Sequence, residues 1–498
     1  MALEFGIIKK LGIGLIVACV IAGAAAYGFF IATENSLSEP DRKEHVVTLT
    51  EDGFSPADIT IRRGEVVTFV TQGNRPFWPA SDLHPTHSLY AEFDPKMPIL
   101  PEKSWSMHFD TAGRFKYHDH LDPQKAGVIS VLPSISSFFK KDVPCEDQLG
   151  SAKLRCFDMK LEASLQEGGI ESAFAYFKEI YAADPDVPSQ CHQWAHRLGE
   201  AEYALYKEGQ KIELRPEAAF CSYGYFHGFI NAMVANTQNF LSAQQFCEDA
   251  VRDTKDQLKG MAGNCIHGIG HSVATLMLED QKQWGSVQGV LEAGAAQCTE
   301  LYADLQGTCF DGMFHELYLS MSRGDYGLQV DEYAQSGDLF YYCKGLPSEL
   351  SESCHAEFIK LWPYFLGSDK KTVIEHLAAA VEGVFVQTPR VLHTLARSFI
   401  EMDIVGGDFT GSVEACAAVP EYLFNECLHG LVLGFVTHGE PGSMHEAGFA
   451  FCRDQYEGES RAVCIEDMVA ELSLVYFEEQ LHAACMQLDE SEKPSTCL

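Results

Sequence analysis

Cysteine spacing constrains this chain more than any other feature. Of its 17 cysteines, Cys19 stands alone near the N-terminus and the remaining sixteen lie between positions 145 and 497. Cys145/Cys156, Cys298/Cys309, Cys343/Cys354 and Cys416/Cys427 are each eleven positions apart. Cys452/Cys464 and Cys485/Cys497 are twelve apart and Cys247/Cys265 eighteen, which leaves Cys191 and Cys221 for each other. No two are closer than eleven positions, so the C-x-x-C of zinc ribbons and thioredoxin-type sites and the C-x-x-C-H of c-type haem attachment are absent. An even number of dispersed cysteines reads as disulfides, and disulfides imply an oxidising, extracytoplasmic compartment. The segments between partners are polar and loop-like, so each bridge is expected to tie the end of one helix to the start of the next. Successive units begin about 35–50 residues apart, within the range of helix-pair repeats. Apolar residues recur at helical spacing in Glu171–Ala183, Ser272–Gln283 and Glu466–Ala484. Residues 145–498 are therefore expected to form an all-α helical-hairpin repeat domain stapled by disulfides.

The other end of the chain sets the compartment independently. After Lys9 and Lys10, an apolar run from Leu11 to Ala32 carries no charge over 22 residues. As a helix it would cover the roughly 30 Å hydrocarbon core of a bilayer. Residues 11–32 are thus expected to be a transmembrane anchor, with residues 1–10 a cytoplasmic stub. A cleaved signal ending in the small residues Ala22–Ala26, or a lipoprotein box at Ile16-Val17-Ala18-Cys19, are the alternatives. The apolar continuation through Tyr27-Gly28-Phe29-Phe30-Ile31 speaks for the anchor. All three readings export the remainder to the periplasm or cell surface. With 71 acidic against 36 basic side chains the net charge is −35, which repels phosphate backbones and excludes nucleic acid as a partner.

Residues 45–132 have a different texture. Val46–Leu49, Ile59–Ile61, Val66–Val70, Trp105–Phe109 and Val128–Val131 are short β-branched or aromatic runs separated by Gly, Pro and Asp, as in a β-sandwich. Gly53-Phe54-Ser55-Pro56-Ala57-Asp58-Ile59-Thr60-Ile61, followed by Gly64-Glu65-Val66-Val67-Thr68-Phe69, resembles the opening of a cupredoxin. Ala112-Gly113-Arg114-Phe115-Lys116-Tyr117-His118, running to Gly127-Val128-Ile129-Ser130-Val131, resembles its close. The whole is expected to be multidomain α+β: an N-terminal transmembrane helix, a cupredoxin-like β-sandwich (45–132), a linker (133–144) and the all-α repeat domain.

The resemblance fails at the metal. Anchored on Pro123 and Gly127, the family's cysteine falls at Asp119, its second histidine at Asp122 and its methionine at Lys125, and no cysteine lies between Cys19 and Cys145. A thiolate-bound blue-copper site is excluded. Histidines stand nearby instead: His84 and His87 near the loop that supplies the family's first ligand, and His118 and His120 at its ligand loop. His118 and His120 flank Asp119, so an extended strand would present both on one face. Three or four imidazoles with a nearby carboxylate suit Cu(II), with Zn(II) or Fe(II) as alternatives. The bland reading is surface or hydrogen-bonding histidines on loops. His84, His87, His118 and His120 are the expected metal ligands, and copper the expected ion, whereas His108 is expected to pack on its strand.

The helical part repeats a second pattern, C-x-x-G, at Cys221/Gly224, Cys265/Gly268, Cys309/Gly312 and Cys427/Gly430. His227, His271 and His315 follow six residues after their cysteines, and His192/His196 and His267/His271 are i,i+4 pairs able to offer two imidazoles to one ion. Glycine costs roughly 1 kcal/mol in a helix interior relative to alanine, so a recurring one points to close helix–helix approach. Repetition favours a structural role for these histidines, as buried spacers, over metal or ligand binding or catalysis. H-E-x-x-H, G-x-S-x-G and P-loop signatures are absent, and bridged cysteines leave no nucleophilic thiol. The sequence thus points to a metal-handling or delivery protein, not an enzyme, whose helical repeats offer a surface to a protein partner. The alternatives are an interaction scaffold with a metal-free sandwich, and an oxidoreductase with a histidine-only centre.

Overall fold

The computed structural model describes residues 44–497 apart from 133–143, 185–186, 211, 213–217, 219, 255–259, 303–305, 329–339, 368, 382–387 and 405. The expected stub and anchor at 1–32, and all but Pro144 of the expected linker, lie outside the described residues. Among those described, no helix is long and apolar enough to cross a membrane.

Eight strands come first: β1 (Glu44–Thr50), β2 (Gly53–Ser55), β3 (Asp58–Arg62), β4 (Val66–Thr71), β5 (Pro79–Ser81), β6 (Trp105–His108), β7 (Gly113–Asp119) and β8 (Asp122–Leu132). They form two four-stranded sheets, ordered β2-β1-β4-β6 and β3-β8-β7-β5. The pairs β1/β4 and β3/β8 are parallel and the rest antiparallel. Alternation drives the packing: Val47 and Leu49 of β1, Val67 and Phe69 of β4, Phe115 and Tyr117 of β7, and Ile129 and Val131 of β8 all turn inward. His108 ends β6 with its ring exposed, so it does not pack as expected. The register Ala80↔His118 between β5 and β7 sets the site. It lays the loop after β5, which carries His84 and His87, against the end of β7.

Sixteen α-helices follow among the described residues: α1 (Gly150–Ala183), α2 (Cys191–Lys207), α3 (Phe220–Thr237), α4 (Phe240–Thr254), α5 (Met261–Glu279), α6 (Val287–Leu301), α7 (Gln306–Arg323), α8 (Ser348–Phe358), α9 (Trp362–Leu366), α10 (Lys370–Val381), α11 (Thr388–Asp403), α12 (Thr410–Ala417), α13 (Phe424–His438), α14 (Met444–Gln455), α15 (Gly458–Val475) and α16 (Glu478–Cys485). One row packs in sequence, α2 on α3, α3 on α5, α5 on α7, α7 on α8, α8 on α11, α11 on α13 and α13 on α15. The row curls back on itself. Helix α13 also touches α3, the Tyr181 hydroxyl donates to the His438 carbonyl at 2.6 Å, and the Tyr223 hydroxyl donates to that of Leu474 at 2.9 Å. The run Glu466–Ala484 is two helices, α15 and α16, rather than one.

All eight bridges pair as the spacing implies. They do not all join the end of one α-helix to the start of the next: Cys145, Cys343 and Cys497 lie in short 3-10 turns outside the α-helices, and a further bridge joins two helix starts. Cys191 opens α2 and Cys221 opens α3, so this bridge ties two helix starts together. Cys221, Ser222 and Tyr223 hold positive φ of 53°, 55° and 59°, a left-handed turn that costs about 1–2 kcal/mol per residue. The disulfide and the Cys221 carbonyl, which accepts from His192 Nδ1 at 2.7 Å, hold it in place.

The sandwich and the helices share their cores. Trp78 and Ala80 bury in the cluster built mainly from α3, α5, α6 and α7, while Leu83 and Leu89 bury with Phe174, Phe177 and Trp194. Polar contacts reinforce the joint. Arg155 Nη1 donates to the Leu89 carbonyl at 2.7 Å, Ser88 Oγ to Gln190 Oε1 at 2.9 Å, and the Tyr326 amide to the Lys96 carbonyl at 3.0 Å.

Candidate metal centre

The four histidines singled out in the sandwich converge. One ring nitrogen from each of His84, His87, His118 and His120 lies within 4.8 Å of the corresponding atom of the other three. Two pairs come closer still: His84 Nδ1 to His118 Nε2 at 3.2 Å, and His87 Nε2 to His120 Nδ1 at 3.0 Å. Ligands about 2.0–2.1 Å from a tetrahedral ion stand roughly 3.3 Å apart, so these spacings are those of a set that encloses one cation.

Carboxylates behind the rings fix which nitrogen faces inward. His87 Nδ1 meets Asp94 Oδ2 at 2.6 Å, and His118 Nδ1 meets Asp82 Oδ1 at 3.0 Å, so each turns Nε2 to the centre. Such outer partners orient metal-binding imidazoles and raise their basicity. Burial alone would raise the Asp82 carboxyl, but Arg197 and then His118 hold it well below the usual range. Burial likewise opposes ionisation of Asp94, which His87 and Lys96 nevertheless hold low. Burial is also the main reason that His84, His87 and His120 are pushed down, so these rings are neutral and have lone pairs to donate. His120 stacks on Trp78 at 4.3 Å between ring centres and its amide donates to the Trp78 carbonyl at 2.7 Å. His87 itself sits at φ 53°, a conformation costly for a side-chain-bearing residue and concentrated at functional sites.

Asp119 holds backbone rather than a ring. Its Oδ1 accepts from the amides of Trp78 at 2.8 Å and Leu121 at 3.3 Å, and burial pushes its carboxyl up to about 6. It fixes backbone on both sides of the centre. The sequence missed Asp82, Asp94 and Arg197. Asp82 stands two residues before His84 and was visible as a neighbour, but nothing local marks Asp94 or Arg197.

Two spaces adjoin the histidines. A cleft of about 390 Å³ is lined by Asp82, His84, Lys116, His118, Arg197 and Glu200. Behind His84 and His120 a cavity of about 30 Å³, room enough for water, reaches Ser272 and Glu279.

Similar solved structures are cupredoxins. A reduced amicyanin variant is 20% identical over 19% of this chain and 87% of that one, with a TM-score of 0.16. The purple cupredoxin from Nitrosopumilus maritimus is 16% identical over 18% of this chain and 99% of that one, with a TM-score of 0.15. No protein-family model matches the chain. No curated protein matches it either.

Glu279, at the far wall of the small cavity, yields a pH prediction. Burial pushes its carboxyl up to about 7, helped by Asp119 and Asp122 and opposed by Arg75. Below the ordinary value near 4.5 both folded and unfolded chains hold the proton, so the group is neutral to stability there. As pH rises from 4.5 to 7 only the unfolded chain ionises, and the folded state loses ground. Glu279→Gln is therefore expected to raise the melting temperature at pH 8 by about 2–4 °C, for an effect near 1 kcal/mol. It should do nothing at pH 4. Equal shifts at both values would show that Glu279 titrates normally.

Proposed function

We propose that this chain is a membrane-anchored, extracytoplasmic protein that binds copper through His84, His87, His118 and His120 and serves in metal handling or delivery. The convergence of four imidazoles, two of them held by the carboxylates of Asp94 and Asp82, carries the reading. The donor set fits the ion. Imidazole suits Cu(II), Zn(II) and Fe(II), and the absence of a thiolate from this set rules out a blue-copper centre. When bound, copper would supply a Lewis acid or a one-electron couple. The chain's own contribution is to hold His87 and His118 in one tautomer, to exclude water on the Trp78 side, and to leave His84 and His118 facing the cleft. Eight disulfides agree with an oxidising compartment, and the apolar run Leu11–Ala32 supports the anchor.

A second reading is an oxidoreductase with a histidine-only centre, whose substrate would enter the cleft beside His84 and His118.

The deciding measurement is the copper content of the full chain in detergent, beside a variant with all four histidines changed to Ala. The variant should hold about one copper per chain fewer. It should also lose most of the thermal stabilisation that copper gives the parent, on the order of 2.7 kcal/mol at a hundredfold excess over Kd. Equal copper in the two proteins would sink the assignment.

A further inference from the structure

The helical repeats bring a second set of histidines together, on different elements from the first. His192 and His196 of α2 and His227 of α3 each offer a ring nitrogen within 4.8 Å of the others, as do His227 with His267 and His271 of α5. His196 Nε2 lies 3.0 Å from His192 Nε2, His271 Nε2 lies 3.2 Å from His267 Nε2, and His227 Nδ1 lies 3.4 Å from His192 Nε2. These are again the roughly 3.3 Å separations of ligands around one tetrahedral ion.

Two further observations point to a ligand rather than to packing. His227 Nε2 is buried with no hydrogen-bond partner, and His227 is 3% exposed. A buried unpaired polar nitrogen costs about 1–3 kcal/mol. Outer partners aim the set: the Cys221 carbonyl takes His192 Nδ1 at 2.7 Å and Glu316 takes His271 Nδ1 at 3.1 Å, so each turns Nε2 toward the neighbouring rings.

We propose that the helical ring holds a second metal centre, in which His227 joins the imidazole pair of α2 or of α5 to bind one late first-row divalent cation. It stands independently of the sandwich centre. Glu316 supplies negative charge behind His271. His315 is not one of the residues whose ring nitrogens converge, and its Nδ1 faces the Lys360 ammonium at 3.2 Å.

The left-handed turn at Cys221 and the C-x-x-G motif acquire a purpose from this centre. The turn delivers the carbonyl that orients His192, and the glycines let α2, α3, α5 and α7 approach until their histidines meet.

The test uses zinc and the full chain carrying His84, His87, His118 and His120 all changed to Ala. After loading and dialysis this protein should retain about one zinc per chain, and cobalt in its place should give the visible bands of a tetrahedral ion. Adding His227→Ala should abolish retention. Should that variant lose helical signal, His192→Gln with His267→Gln removes one ligand from each pair and leaves the buried His227 in place. Retention of no zinc by the protein with four sandwich alanines overturns the second centre, whatever the first binds. Zinc that survives both sets of helical substitutions in a folded protein overturns it too. Copper unchanged by the four sandwich substitutions would count against the first centre alone.

Discussion

Reduction of the eight disulfides should unfold the helical unit at 37 °C. Six bridges close loops of eleven or twelve positions, and two close loops of eighteen and thirty. In the chain-entropy treatment a loop of this size contributes about 3 kcal/mol, or on the order of 20 kcal/mol for the set. That exceeds the 5–15 kcal/mol by which folded domains typically outweigh their unfolded chains. The half-cystines are also core residues: Cys298, Cys309, Cys354, Cys416, Cys427, Cys452 and Cys464 are fully buried. Each opened bridge therefore leaves thiols where a close-packed sulfur pair stood. Far-ultraviolet circular dichroism in strong reductant, with and without mild denaturant, reads the outcome. Collapse of the helical signal is expected. A helical spectrum and melting temperature unchanged by full reduction, verified by thiol counting, would show that the apolar clusters alone carry the ring. The sandwich has no cysteine, yet it shares Trp78 and Ala80 with the helical core. Copper retention at its four histidines should fall in the same experiment.

The cysteine pairing was readable in advance because six of the eight pairs lie across one segment of eleven or twelve positions, and Cys191/Cys221 followed by elimination. The strands at Val46–Leu49, Ile59–Ile61, Val66–Val70, Trp105–Phe109 and Val128–Val131 were readable for a similar reason: alternation is local. The meeting of His84 and His87 with His118 and His120 was expected from the resemblance alone, which set both segments at one end of the sandwich; the β5/β7 register is what brings them together. What stayed hidden depends on distant partners. Nothing near Trp78 or Leu89 says that they bury against helices rather than inside the sandwich. Asp94 reaches His87 through the fold of its own loop, and Arg197 reaches Asp82 from α2 at 3.2 Å. The break between α15 and α16 also escaped, since apolar spacing continues across Tyr476 and Phe477. Recurrence of C-x-x-G and histidine argued for a structural role. The repeat does serve packing, and the same close approach gathers the imidazoles into a second cluster.

Two alanine substitutions in one helix should move stability in opposite directions, and this contrast tests the close approach itself. Gly263 and Gly270 both lie in α5. An added Cβ at Gly263 would meet nothing within 4 Å, whereas at Gly270 it would fall 2.1 Å from the Cys309 carbonyl oxygen and 2.9 Å from the Met313 nitrogen. Helix propensity favours alanine by roughly 1 kcal/mol at either position, so Gly263→Ala is expected to stabilise by about 0.5–1 kcal/mol. At Gly270 that gain is outweighed. The carbonyl belongs to backbone pinned by the Cys298–Cys309 bridge, so α5 and α7 must part rather than let one side chain swing away. Gly312 faces back from α7 with its own added Cβ 1.9 Å from the His267 carbonyl oxygen, which closes the interface from both sides. Overpacking of this kind costs about 1–3 kcal/mol and occasionally more, so a net loss near 2 kcal/mol is expected for Gly270→Ala. The change should also weaken zinc binding in the ring, because displacing α5 moves His267 and His271 together away from His227. Thermal melts of the two variants beside the parent decide the matter, with zinc retention as the second readout. Stabilisation by both substitutions would mean that α5 and α7 do not approach as closely as their glycines allow.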